Sequence, residues 1–243
     1  MSKSVGNTIA TEKVIKQYGA DILRLWVAQA DYTSDLRIGD EILKNVADSY
    51  RRLRNTMRFL LGNLNGFTDA EKVAVVDMPE LEQWMLHRMA ELDEVVRKGY
   101  ENYDFQNVFQ QLFQFCTIDL SSVYFDIRKD ALYCDADDSV TRRAARTVLD
   151  MLFARLTTWL APMLTFTMED VWLERNAGDD ASVHLEDFPE TPAAWLNAEL
   201  AAKWGKIRDV RRVVTGAIEI ERQEKNIGAS LEAGPVVYVA DAD

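Results

Sequence analysis

Proline is scarce in this chain, with 5 in 243 residues, and glycine is only slightly more frequent at 11. That little turn-forming material disfavours an all-β architecture, which needs a turn signal roughly every 8–12 residues. It also disfavours long loops. There are 2 cysteines, Cys116 and Cys134, with no cysteine or histidine partner at metal-ligand spacing, so neither a disulfide framework nor a zinc site is expected. Cys116 falls in an apolar helical stripe and reads as a buried core thiol. The 2 histidines, His87 and His184, lie far apart. No apolar run approaches a membrane span, and the polar N-terminus carries no secretory signal. Neither a glycine-rich dinucleotide fingerprint nor a phosphate-cradling P-loop is present. Reducing, cytoplasmic conditions fit this cysteine usage best.

The length suffices for a sizeable core in one or two domains. Hydrophobic residues at 48% and charged residues at 28% give an ordinary globular balance. The net charge of -12 argues, as an average, against nucleic acid as a partner. The distribution argues otherwise. Residues 44–58 hold Lys44, Arg51, Arg52, Arg54 and Arg58 against the single acid Asp48. Residues 203–212 hold Lys203, Lys206, Arg208, Arg211 and Arg212 against Asp209. The acids concentrate at 77–94, 130–138 and 169–190, so basic faces on an acidic body are expected.

Periodicity predicts helices almost throughout. Thr11 reads as a cap for a short helix that Gly19 stops. Leu23, Trp26, Val27 and Ala30 suggest the buried stripe of the next one. Val46, Tyr50, Leu53, Met57, Leu60, Leu61 and Leu64 form one stripe over five turns. Pro79 suits the first turn of a further helix that buries Leu81, Met85, Met89, Leu92 and Val96. Asp104 caps a long helix, and Ser139 caps one that buries Ala144, Val148, Leu152, Leu156 and Trp159 up to Pro162. A short helix follows from Thr167 to Arg175, and a final one from about Trp195 to Glu224 with Leu200, Trp204, Ile207 and Val210 at helical spacing. Val236 to Ala240 reads as a strand with no partner in the chain. The six tryptophans mostly sit on apolar stripes and read as core. The fold class is mostly α, an antiparallel helix bundle. Its expected divisions are 1–39, 40–190 and 191–243.

The chain opens Met1-Ser2-Lys3-Ser4-Val5-Gly6-Asn7. Lys3 between two hydroxyls in a flexible segment is a plausible phosphate clamp, one point charge with hydroxyl donors beside it. Together with Tyr18-Gly19-Ala20-Asp21-Ile22-Leu23-Arg24, this opening resembles the region after the Lys-Met-Ser-Lys-Ser signature of class I aminoacyl-tRNA synthetases for isoleucine, valine, leucine and methionine. Tyr50-Arg51-Arg52-Leu53-Arg54-Asn55-Thr56, Arg58 to Leu64, Tyr124 to Asp130 and Leu160-Ala161-Pro162 are most similar to the isoleucyl enzymes of bacterial type. The resemblance runs in order over nearly the whole chain.

The resemblance implies ATP-dependent charging of tRNA(Ile) with isoleucine. Mg-ATP would be the nucleotide, and no metal site is expected in this chain. Lys3 would be the catalytic lysine on the ATP phosphates, with Ser2 and Ser4 beside it. Residues 1–39 would hold that loop and a stem-contact segment, 40–190 the anticodon-binding bundle, and 191–243 a long helix opening a C-terminal region. The family's His-x-Gly-His element and its editing domain are missing, so the chain alone is expected to be inactive, with Met1 an internal methionine of the signature. A monomer binding neither membrane nor DNA is expected.

Arg51, Arg54 and Arg58, at i, i+3 and i+7, flank the apolar seam, with Arg52 on a separate face. Guanidinium groups bridge phosphates and stack on splayed bases. Composition alone favours a salt-bridged surface. The resemblance favours tRNA as the partner of Arg51, Arg54, Asn55 and Arg58, with the 206–212 cluster as a weaker candidate. The charges at Asp126, Arg128, Lys129 and Asp130 read as an ion-pair network. Two rival identities are a valyl-type synthetase and a non-catalytic helical interaction module.

Overall fold

A computed structural model describes residues 9–178 and 180–239. Ser2, Lys3 and Ser4 lie outside the described residues, as does Ala240. The helices are α1 (Thr11–Tyr18), α2 (Ala20–Gln29), α3 (Asp40–Leu64), α4 (Glu80–Glu101), α5 (Phe105–Gln114), α6 (Asp126–Cys134), α7 (Val140–Leu160), α8 (Thr165–Leu173) and α9 (Ala198–Gln223). A π-helical stretch, Phe115–Phe125, joins α5 to α6 without a break. No strand occurs among the described residues, and Val236 to Val239 are irregular. A strand needs a neighbour, and the described chain offers none. No helix among the described residues is long and apolar enough to cross a membrane.

The chain divides at Leu196 and Asn197 into two compact units. In the first, α3 packs on α2 and α7, and α4 packs on α5 and α7. The core is the one periodicity marked. Met85, Met89, Val96, Ala144, Val148, Leu152, Leu156 and Trp159 are completely buried. Asp104 caps α5 by accepting from the Asn107 backbone N–H at 3.2 Å, and Ser139 caps α7 through the Arg142 N–H at 3.4 Å. Gly19 separates α1 from α2 with a φ of 91°, a conformation that costs glycine little.

Three local readings need correction. Thr11 is the first helical residue and Ala10 precedes it as the cap. In α2 the buried face is Ile22, Leu25 and Ala28 with Asp21, while Val27 is 56% exposed. The burial of a carboxylate rotates that helix by about one residue from the purely apolar choice. The helix α8 starts at Thr165, and its N-terminus is capped from α2. Asp21 accepts from the backbone N–H of Phe166 at 3.3 Å and of Thr167 at 2.7 Å.

The long helix 105–134 conceals a register problem. Val108, Leu112, Cys116, Leu120 and Tyr124 are all buried and recur every four residues. On an ideal α-helix that spacing drifts about 40° per step, and four steps would carry the stripe far round the cylinder. Wider turns with i→i+5 bonding absorb the drift. Side chains of the widened stretch satisfy carbonyls within it and just before it. Thr117 Oγ1 donates to the Phe113 carbonyl at 2.8 Å and Ser122 Oγ to the Thr117 carbonyl at 2.9 Å.

In the second unit, Asn197 caps α9 by accepting from the Leu200 N–H at 3.0 Å. Leu200 is buried, whereas Ile207 and Val210 are 40% and 45% exposed. The Ser230–Glu232 turn follows.

Candidate nucleic-acid interface

The exposed side of α3 separates two grooves. Its inner face is fixed by Leu43, Val46, Leu53, Met57, Leu60 and Leu64, all buried. Helical geometry then forces Arg51, Arg52, Arg54, Asn55 and Arg58 outward, and all five are exposed. Arg54 and Arg58 lie one turn apart, a rise of roughly 6 Å.

The four residues expected to touch RNA do not share one pocket. Arg54 and Arg58 line a groove of about 1000 Å³ between α3 and α8, with Tyr50, Asn65, Phe67 and Asn176. Asn55 lines the other groove, of about 620 Å³, where α3 faces the π-helical stretch and α6. Arg52 joins it there. Arg51 lines neither and pairs along its own helix with Asp48. Among the described residues, the side chains of Arg52, Arg54, Asn55 and Arg58 have no hydrogen-bonding or ion-pair partner.

Acids near these arginines are mostly held elsewhere. Asp150, in the α3–α8 groove, pairs with Arg175 at 2.6 Å and with Lys72 at 3.3 Å. Asp126, in the other groove, pairs with Lys129 at 3.0 Å. The hydrogen bond to Asp126, reinforced by its charge, raises Lys129 above its ordinary value. The ammonium therefore stays charged at neutral pH. Asp170 and Glu174 remain as acids of the α3–α8 groove.

The charges at 126–130 form ion pairs within the chain, one of them to a distant helix. Arg128 reaches across to Glu82 on α4, with both nitrogens at 2.6 Å from the two carboxylate oxygens. Tyr124 donates to the same Glu82 at 3.1 Å. Glu82 is completely buried, so this is a structural tie. In α9, Arg212 pairs with Asp209 at 3.0 Å. Lys203, Arg208 and Arg211 are engaged as well. The 203–212 row is thus not a free basic surface.

Sequence reasoning missed the aromatic lining of the smaller groove. Phe59 of α3 and Phe125 stack with centroids 4.0 Å apart. Tyr133 of α6 stands beside them, 66% exposed. The signal that could have found this wall was the four-residue apolar repeat. It requires widened turns and so moves Ser121, Ser122 and Phe125 relative to an α-helical projection. No cluster of three or more metal-ligating side chains occurs among the described residues.

Comparison with known proteins points to one family. Residues 82–238 match the family described as the anticodon-binding domain of tRNA ligase, and residues 1–39 match class I tRNA synthetases of the I, L, M and V type. An isoleucine--tRNA ligase from Ruegeria pomeroyi is 66% identical over 244 aligned positions, covering 100% of this chain and 25% of that protein. One from Mesorhizobium japonicum is 57% identical, covering 100% of this chain and 24% of that protein. The chain therefore spans about a quarter of the length of the curated relatives it matches. Among solved structures, the Agrobacterium radiobacter K84 agnB2 LeuRS in its ternary complex with tRNA and LeuAMS superposes with a TM-score of 0.62. The identity there is 17%, with 81% of this chain and 23% of that one covered, a likeness of fold.

Proposed function

The chain belongs to the anticodon-binding domain family of tRNA ligases, and from that premise we propose that it is the tRNA-holding part of an isoleucine-tRNA ligase. The observation that carries this reading is the trio Arg52, Arg54 and Arg58. On a chain of net charge -12, three exposed guanidinium groups on one helix lack acidic partners among the described residues. A stability role would have paired them. An anionic partner with phosphates at close spacing explains the arrangement, because guanidinium binds phosphate through two parallel hydrogen bonds.

In this reading Arg54 and Arg58 hold backbone phosphates of tRNA(Ile), which positions the anticodon stem without reading bases. Asn55 and Arg52 face the second groove. Arg51, already paired with Asp48, contributes least. Residues 1–39 supply the loop and stem-contact segment, 40–190 the bundle, and 191–243 the long helix of a further region. Within a whole ligase, Lys3 with Ser2 and Ser4 contacts the ATP phosphates. A lysine there stabilises the charge that moves onto pyrophosphate as the aminoacyl adenylate forms. This chain by itself holds tRNA and forms no adenylate, and it works in the cytoplasm as a monomer.

Filter binding of the full chain to an isoleucine tRNA transcript, over a range of salt, tests the proposal. Affinity is expected to fall steeply with salt. Replacing both Arg54 and Arg58 by alanine should reduce the slope of log K against log salt by about 1 per lost phosphate contact. Binding that ignores both salt and the double substitution would sink it.

A further inference from the structure

We propose that the groove between α3 and α8 selects RNA over DNA, with Asp170 and Glu174 accepting hydrogen bonds from ribose 2′-hydroxyls while Arg54 and Arg58 hold the neighbouring phosphates. This rests on the tRNA-holding reading and gives a role to two acids that phosphate contact leaves unexplained. The geometry starts from one contact. The hydroxyls of Tyr50 on α3 and Thr167 on α8 meet at 3.0 Å, and both residues line the groove. Arg54 and Arg58 stand four and eight residues on from Tyr50, and Asp170 and Glu174 stand three and seven on from Thr167. Helical rise puts the members of each row roughly 5–6 Å and 10–12 Å from that contact. The Glu174 N–H donates to the Asp170 carbonyl at 3.1 Å, so the helical spacing holds just past Leu173. A basic row on α3 and an acidic row on α8, of matching pitch, thus line one groove of about 1000 Å³.

The two rows are not joined. All four residues are exposed, and among the described residues none of the four side chains has a hydrogen-bonding or ion-pair partner. Acids kept for stability would be paired, as Asp150 of the same groove is with Arg175 at 2.6 Å. Left open, Asp170 and Glu174 repel phosphate on their side and lower the affinity for any polyanion. A ribose 2′-hydroxyl turns that repulsive wall into a binding one. An ionised carboxylate only accepts and a hydroxyl donates, and a hydrogen bond to a charged acceptor is among the stronger ones. Each RNA nucleotide carries both groups, a phosphate for the guanidinium row and a hydroxyl for the carboxylate row. Deoxyribose lacks the donor, which is the group that lets a protein tell RNA from DNA. Arginines alone would hold either nucleic acid alike.

The test uses the full chain and the anticodon stem-loop of an isoleucine tRNA, made as RNA, as DNA and with 2′-fluoro sugars, which keep the RNA-like shape but lack the donor. The wild-type chain should bind the RNA about tenfold more tightly than either analogue. Asp170→Ala combined with Glu174→Ala should bring the three affinities within about twofold of one another. It should leave the thermal midpoint in place, because both side chains are exposed. Arg54→Ala combined with Arg58→Ala should weaken all three and keep their order. Equal wild-type affinity for the RNA and the 2′-fluoro hairpin, or a preference that survives the loss of both acids, overturns the role of the acidic row. If binding still depends on Arg54 and Arg58 in that case, the phosphate reading stands alone. A wild-type chain that binds neither whole tRNA nor any of the hairpins overturns both.

Discussion

Asp21 and Thr167, 146 residues apart in sequence, form the clasp that joins α2 to α8. The Asp21 carboxylate accepts from the Thr167 backbone N–H at 2.7 Å and from its hydroxyl at 2.6 Å. A carboxylate at a helix N-terminus satisfies orphan donors and complements the helix dipole. The same hydroxyl meets Tyr50 of α3 at 3.0 Å. Arg24, one turn further along α2, donates to the Pro162 carbonyl at 2.6 Å. Asp21→Ala should cost about 1–3 kcal/mol in urea unfolding, and Asp21→Asn less. A loss below a few tenths of a kcal/mol would mean that water replaces the clasp.

The buried tie between Glu82 and Arg128 should show the asymmetry of buried ion pairs. Glu82→Ala strands a guanidinium and should cost about 3–5 kcal/mol. Replacing the set together, Glu82→Met with Arg128→Leu and Tyr124→Phe, should cost much less, because no polar group is left unpaired. Urea denaturation of both variants decides it. Equal losses would show that the network contributes net stability.

Gly99 is required by the close approach of α4 and α5. A Cβ there would collide with Val108 Cγ2, and Val108 is fully buried with nowhere to retreat. Gly99→Ala should destabilise by about 1–3 kcal/mol through overpacking. In a Val108→Ala background the same substitution should cost clearly less, a coupling that a double-mutant cycle measures.

The two cysteines should differ in reactivity. Burial pushes the Cys116 thiol up to about 12, whereas Cys134 is exposed. The thiolate is the nucleophile. Maleimide at neutral pH should therefore modify one site in the folded chain and two after denaturation, as intact mass will show. Two modified sites on the folded chain would contradict the burial of Cys116.

Alkaline pH should weaken the fold. Burial raises the Cys116 thiol from 9.0, and it raises the Tyr100 and Tyr124 phenols above 10.0. The folded state keeps protons that the unfolded chain releases above about pH 9–10. Because the folded state binds more protons there, stability is full below about pH 9 and falls as pH rises toward the folded values. Thermal midpoints should drop between about pH 9 and 11, and Tyr100→Phe should flatten part of the slope. A level profile across that window would contradict it.

Much of the bundle was legible because helix signals are local. Asp104 and Ser139 cap the helices they precede, and the four- and three-residue apolar spacings of α4 and α7 set their buried faces. The exposed positions of Arg54 and Arg58 followed from the same periodicity, since a fixed inner face dictates the outer one. Less legible was anything that depends on a distant partner. The α2 stripe was misplaced because its buried face includes Asp21, whose burial makes sense only once the N-terminus of α8 is beside it. The ion-pair reading of the 126–130 charges named no partner for Arg128, which Glu82, 46 residues away, holds.

By itself, then, the sequence determined the helical class, the Asp104 and Ser139 caps, the core stripes of α3, α4 and α7 and the basic outer face of α3, and its ordered motifs pointed to the synthetase family. Those properties are set within one or two turns of chain. Only the tertiary structure decided that Arg54 and Arg58 face one groove and Arg52 and Asn55 another. It also set Phe59 against Phe125 and spent Glu82 on Arg128. Those outcomes depend on which helices pack together and at what rotation, and no single segment carries that information.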